Sequence, residues 1–348
     1  MAKGMRKNDT ADYSSLVKEL KARGPENLYL LWGEEDYLRE QFLLEIKKLC
    51  LSEGAEEFNY KRFDGPAVDM KSLSDAVDSL PFFSRRTLIE VRDYDINKCR
   101  DDDLAVLKEI TGDLPNYCTL VFVLGSSYEP DGRLSACKTI KANGRVIQFT
   151  SQSTGQLVKW IFRRFEAMGK TINKADAEYL IFVCGSLMNR LIPEVEKLSA
   201  YAKSDIITRE DIDAVTQRIP EANVFEMTGL LASRDFDGAA AVLAELLASR
   251  EPPIKLLAII GQQMRNLYAA RLAIDRGLGK NYVMKTCGLK YDFMANRLLN
   301  NAKGFSLGRL ARAVELCAET DYRMKSSSAD DEALLKELLL HLALGDSL

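Results

Sequence analysis

The strongest constraint on the fold is a change of hydrophobic period that repeats along the first 150 residues. Short, uniformly apolar runs alternate with segments whose apolar residues recur every three or four positions. The reading begins with a helix from Tyr13 to Arg23 and a buried strand from Asn27 to Trp32. A helix from Tyr37 to Cys50 follows, with Leu38, Phe42, Ile46 and Leu49 on one face. Next come a strand near Phe58 to Phe63, a helix from Met70 to Leu80 and a strand from Thr87 to Val91. A helix near Leu104 to Ile110 leads to the clearest strand, Cys118 to Leu124, and a helix around Leu134 to Lys141 to a last strand, Arg145 to Phe149. Strands separated by helices cannot form hairpins. They imply a mostly parallel sheet covered on both faces, an α/β domain over residues 1–150.

After Thr150 the strand signals stop. Ser151 to Gly155 reads as a linker that also caps a helix from Gln156 to Met168. Helices near Lys174 to Cys184, Leu187 to Tyr201 and Arg209 to Val215 make a small helical domain, 151–219. Pro220 and Asn223 mark a second joint, and 220–348 reads as all-α, with Pro252-Pro253 opening a long helix from Ile254 to Arg276.

Composition narrows the chemistry. The 348 residues are 47% hydrophobic and 28% charged, with a formal net charge of −3, so neither a disordered chain nor a generally basic nucleic-acid coat is expected. No apolar run approaches the roughly 20 residues of a bilayer crossing. The opening residues Met1 to Asp9 put no apolar core behind their charges, so no secretory signal is read there, and a cytoplasmic location is expected. The seven cysteines include no Cys-x-x-Cys pair, which argues against zinc and against a disulfide framework. The single histidine, His341, sits in the apolar run Leu338 to Leu342, a poor setting for a nucleophile's base and an ordinary one for a helix-surface or core histidine. No metal or other cofactor is expected.

Charge is uneven near the end. Lys255 to Arg312 holds 11 basic and 2 acidic residues, whereas Ala313 to Leu348 holds 3 basic and 8 acidic. Two readings are open: a solvated face with acidic compensation, or a surface facing a nucleic-acid backbone.

The first strand runs into Gly33-Glu34-Glu35-Asp36, where an α/β nucleotide-binding protein cradles phosphate. A working loop needs several glycines, a Lys and a Ser or Thr. Three carboxylates stand there instead; they suit the helix dipole and would repel a triphosphate. No acidic pair ends a later strand to hold magnesium, and Glu90, inside a strand, lacks a partner. Between helix and strand lies Leu80-Pro81-Phe82-Phe83-Ser84-Arg85-Arg86. Two adjacent phenylalanines in so short a connection cannot easily face one core; if one anchors the loop, the other tends to be exposed as a binding hot spot. That both pack under neighbouring helices is the competing reading.

Three motifs in order carry a resemblance: Leu28-Tyr29-Leu30-Leu31-Trp32-Gly33-Glu34-Glu35-Asp36-Tyr37-Leu38, the loop Leu80 to Arg86, and Leu191-Ile192-Pro193-Glu194-Val195-Glu196-Lys197-Leu198. Over nearly its whole length the chain resembles the delta subunits of bacterial DNA polymerase III clamp loaders, degenerate members of the AAA+ family. The resemblance implies an AAA+-like α/β domain, a helical lid and an all-α collar. It implies a non-catalytic part of the polymerase III holoenzyme that binds and opens the sliding clamp, for loading onto primed DNA. The partners implied are the clamp, ATP-binding loader subunits and a delta-prime-type subunit. Clamp contact is carried over to Pro81, Phe82, Phe83, Ser84, Arg85 and Arg86; the family more often has Leu where Phe82 stands. Gly33, Glu34, Glu35 and Asp36 become a degenerate phosphate loop that binds no nucleotide. The Ser-Arg-Cys tripeptide of the arginine-supplying sisters is absent, the nearest string being Ser135-Ala136-Cys137. A DNA-binding scaffold acting through the basic C-terminal helices is the alternative.

Overall fold

A computed structural model describes residues 12–65, 68–99 and 101–344; the opening segment Met1 to Asp9 lies outside the described residues. Two compact units emerge, one formed by the chain up to Leu157 together with Ser186–Pro193, the other by Val158–Gly185 and Glu194–Leu348.

The first unit is built on a five-stranded parallel sheet. Its strands are β1 (Leu28–Trp32), β2 (Tyr60–Asp64), β3 (Thr87–Arg92), β4 (Cys118–Val123) and β5 (Arg145–Gln148), in spatial order β2-β3-β4-β1-β5. Every residue of β1 and β4 is buried, which is why both read as unbroken apolar runs: a central parallel strand is covered on both faces. Leu30 lies beside Phe122 in register. Leu28, Leu30, Ile89, Leu120 and Phe122 join Leu73, Leu107 and Ile140 in one core cluster. Toward helix Asp36–Cys50, the Phe42 ring meets those of Tyr29 and Phe149 at centroid distances of 6.2 and 5.8 Å. The edge strand β2 is half-exposed and carries Lys61, Arg62 and Asp64, charges that discourage edge-to-edge pairing.

Most expected elements appear within a residue or two, and the exceptions have physical causes. Where a strand was expected from Phe58, a one-turn helix, Glu56–Asn59, precedes β2. Helix Met70–Val77 stops short of Leu80, ahead of Pro81, whose ring cannot follow a helical residue without clash. Leu49 is 41% exposed rather than buried; Cys50, at 2%, takes its place on the inner face beside Leu38, Phe42 and Ile46.

The second unit is helical but not free of strands. Contrary to the expectation after Thr150, β6 (Thr171–Ile172) and β7 (Ile206–Ile207) pair in parallel; two residues are too few to impose a period on the sequence. Helices Lys174–Cys184 and Arg209–Val215 follow these strands, the second started by a capping box between Thr208 and Asp211. Pro253 occupies the first turn of the 23-residue helix Pro253–Asp275, which lines the core of the C-terminal part with Leu256, Ile260, Met264 and Leu267. Tyr179 and Phe182 pack edge-to-face on Phe293 at 5.9 and 5.5 Å, joining Lys174–Cys184 to helix Asp292–Ala302. Among the described residues no helix is long and apolar enough to cross a membrane.

Phe122 is fully buried at the centre of the sheet. Phe122→Ala is expected to lower unfolding free energy by about 3–5 kcal/mol, read from urea denaturation midpoints; a loss below about 1 kcal/mol would contradict the core assignment.

Candidate functional site

Because all five strands are parallel, each connection lies at one of two sheet edges. The turn Gly33–Asp36 leaves the C-terminal end of β1, whereas the loop Leu80–Arg86 enters the N-terminal end of β3. Strands of five or six residues separate the two by about 15–20 Å. The structure does not bring these two groups together.

At the C-terminal edge Gly33 has φ 118°, and a Cβ there would stand 2.2 Å from the Phe149 carbonyl oxygen. Only glycine fits so close to another backbone. The three carboxylates do not cap their own helix through side-chain hydrogen bonds. Glu34 accepts from the Ser151 N–H at 3.1 Å, and Asp36 pairs with Arg39 at 2.7 Å. Arg39, itself buried, also donates to the Gly33 carbonyl at 2.7 Å. Glu35 is fully buried and accepts from the Met188 N–H at 3.2 Å with each carboxylate oxygen. Met188 opens helix Met188–Tyr201, so a side-chain carboxylate occupies the anion position at a helix N-terminus. Burial raises the Glu35 pKa to about 7; the Met188 N–H and Arg39 oppose the rise, while Asp36 and Glu34 add to it. Glu90, also fully buried, is bound by Lys47 at 2.8 Å, by the Tyr60 hydroxyl at 2.7 Å and by Arg92. Burial opposes ionisation, yet these partners hold its pKa below the usual carboxylate value. Its oxygens are engaged by protein cations.

At the N-terminal edge, both expected phenylalanines are exposed, Phe82 by 53% and Phe83 by 84%. Neither ring anchors the loop in the core, so neither the reading with one ring inside nor that with both packed under helices describes this loop. The anchoring comes from neighbours. The Phe82 N–H donates to Asn59 Oδ1 at 2.6 Å, and Asn59 Nδ2 donates back to the Phe82 carbonyl at 2.6 Å. The Ser84 hydroxyl donates to the Cys50 carbonyl and accepts from the Ser52 N–H, each at 3.2 Å. Arg86 turns inward to Asn27 at 2.8 Å and Thr119 at 3.1 Å, leaving Arg85 as the exposed cation. Pro81 is half-buried. Phe83 has φ 52°, a left-handed conformation costly for a bulky side chain. Its ring contacts Phe82 edge-on at 4.4 Å, and Phe82 contacts Phe58 at 5.3 Å. Phe58 and Leu80, exposed by 62% and 75%, enlarge the apolar tip.

Sequence reading missed Phe58 and Asn59 here. The available signal was an Asn directly before a strand, a residue type that favours local side-chain to backbone bonds. His341 lies on the surface of helix Asp331–Leu344, 3.7 Å from Glu337. Burial raises all seven thiol pKa values, Cys118 and Cys317 to about 11 and Cys184 to about 12. Among the described residues no group of three or more His, Cys, Asp or Glu could hold a metal ion. In the basic segment, Lys255 pairs with Glu251, Arg271 with Asp275, Lys280 with Asp292 and Arg312 with Glu319. Arg309 donates to the Leu342 and Ala343 carbonyls at 2.8 and 2.9 Å. At least four of the eleven basic residues there are thus compensated by a carboxylate.

Comparison with known proteins adds an independent line. The family model of the DNA polymerase III delta subunit matches residues 29–150, and the model of that family's C-terminal domain matches residues 221–342. The DNA polymerase III subunit delta of Bacillus subtilis is 24% identical over 334 residues, covering 93% of this chain and 95% of that one. The probable DNA polymerase III subunit delta of Aquifex aeolicus is 23% identical over 325 residues, covering 90% of each. Among solved structures, the Bacillus subtilis DNA clamp loader delta protein is similar, with 22% identity, coverage of 95% of this chain and 99% of that one, and a TM-score of 0.49.

With its pKa raised from 4.5 to about 7, Glu35 makes the folded state bind more protons than the unfolded state between those values. Its contribution to stability therefore falls as pH rises through that window. Glu35→Gln should reduce the difference in melting temperature between pH 5 and pH 8; an unchanged difference would exclude Glu35 as its source.

Proposed function

We propose that this chain, which belongs to the DNA polymerase III delta subunit family, is the loader subunit that binds and opens the sliding clamp. Family membership rests on two matched stretches that together span more than two-thirds of the chain. The observation that carries the clamp-binding reading is the exposed pair Phe82 and Phe83, at the tip of a loop anchored through Asn59, Ser84 and Arg86. A soluble domain gains nothing from displaying adjacent aromatic rings unless a partner covers them.

In this reading Phe82 and Phe83 enter an apolar pocket on the clamp, Pro81 and Ser84 shape the loop, Arg85 lies at the rim and Arg86 anchors its base. Burying one phenylalanine contributes roughly 1.5–3 kcal/mol. Opening a closed ring requires that this energy be greater for the open form. Moving an open-to-closed ratio from 1:99 to 99:1 takes about 5.5 kcal/mol of differential affinity. Burying two rings contributes roughly 3–6 kcal/mol in all, and only the part realised better on the open ring drives opening, with no covalent chemistry in this chain.

ATP enters through sister subunits. The acidic turn supports this division of labour, since Glu35 takes the helix N-terminus and Gly33 packs against Phe149. The chain then works in the cytoplasm as a non-catalytic member of a hetero-oligomer with ATP-binding subunits and a delta-prime-type subunit. Residues 1–150 carry the clamp loop, 151–219 form a lid and 220–348 a collar, with primed DNA reached through the complex.

Purified protein mixed with its organism's sliding clamp should form a complex without ATP or DNA, measurable by calorimetry. Phe82→Ala with Phe83→Ala should abolish that complex while leaving the melting temperature within a few degrees; undiminished binding would remove the assigned contact. Titration of the isolated chain with labelled ATP should show no saturable binding at micromolar concentrations, and a saturable isotherm would overturn the degenerate-site reading.

A further inference from the structure

The one-turn helix Glu56–Asn59 stands beside the aromatic loop, outside the run Pro81 to Arg86 that the family resemblance assigns to the clamp. Asn59 is 1% exposed although its amide is polar, and its bonds account for that burial. The side chain forms a reciprocal pair with the Phe82 backbone, N–H to Oδ1 and Nδ2 to carbonyl, each 2.6 Å, and Nδ2 also donates to the Ala55 carbonyl at 2.7 Å. One amide thus does for Phe82 what a neighbouring strand would do, at the residue before the left-handed Phe83. An exposed phenylalanine at φ 52° has no burial of its own to hold it there, and the local backbone preference opposes it. The constraint comes from the residue before it and from Ser84 after it. Phe58, next to Asn59, points its ring at Phe82 with 62% of its surface still exposed.

We infer that helix Glu56–Asn59 is the second half of the partner-binding tip: Phe58 is a third aromatic contact, and Asn59 is a positioning residue that holds Phe82 and Phe83 in their binding conformation. The inference rests on the clamp reading and deepens it. The partner chemistry is an apolar pocket wide enough for three rings in a row, Phe58, Phe82 and Phe83, and not for an isolated pair. Asn59 touches no partner; it spares the complex the cost of ordering the loop on binding.

The full chain and purified clamp provide the test, with Phe82→Ala/Phe83→Ala as reference. Phe58→Ala should weaken clamp binding about tenfold or more, with unchanged melting temperature. Asn59→Ala should weaken it by a similar factor. It should also raise hydrogen exchange at the Phe82 amide, while amides of β3 and β4 keep their protection, a change that general destabilisation would not confine to the loop. In a Phe83→Ala background the Asn59→Ala loss should shrink to about twofold, because the amide acts through the rings. If the reference variant loses binding while Phe58→Ala and Asn59→Ala retain it, this inference fails and the clamp reading stands. If the reference variant itself retains binding, the clamp reading fails.

Discussion

A parallel strand cannot turn directly into its neighbour; the chain must cross back over a face of the sheet, and this constraint orders the first unit. Every β-to-helix connection emerges at one edge and every helix-to-β connection at the other. The acidic turn after β1 and the aromatic loop before β3 are therefore held at opposite ends of a buried slab of side chains. A partner gripping the tip need not disturb the turn. The two sites are separate in space and in chemistry, one assembled from internal hydrogen bonds and the other presenting uncovered rings.

In the proposed reading the acidic turn is a phosphate-cradle position filled by side chains of the protein itself. Its backbone still offers a glycine with positive φ at the end of the first strand and a helix behind it. The negative charge comes from the chain. Glu35 receives the Met188 N–H, Glu34 that of Ser151, and Arg39 binds both Asp36 and the Gly33 carbonyl. A side chain tethered by its own backbone needs no binding entropy to arrive, so the Met188 N–H keeps its acceptor without any ligand.

Much of this was legible in the sequence because burial leaves a period. The runs of β1 and β4 carry no polar interruption, and helices such as Lys174–Cys184 are framed by an Asn cap and a terminal glycine. What was illegible depends on distance or on brevity. Glu35 and Met188 are 153 residues apart, so no local pattern announces their bond. Strands of two residues, β6 and β7, and the one-turn helix Glu56–Asn59 are shorter than any period that would reveal them. That both phenylalanines stand exposed was equally out of reach of the local pattern, since Asn59 holds the Phe82 backbone from 23 residues upstream. At Leu49 and Cys50 the helical repeat fell between two neighbours, and the smaller side chain went inside.

In the proposed clamp reading, the positive φ at Phe83 sets thermal robustness against binding at a single position. Asparagine or glycine would relax that backbone, so random drift or a screen for heat tolerance would tend to replace the ring. Laboratory evolution toward a sturdier chain, scored by melting alone, would on that reading enrich molecules that fold better and lose their hold on the clamp.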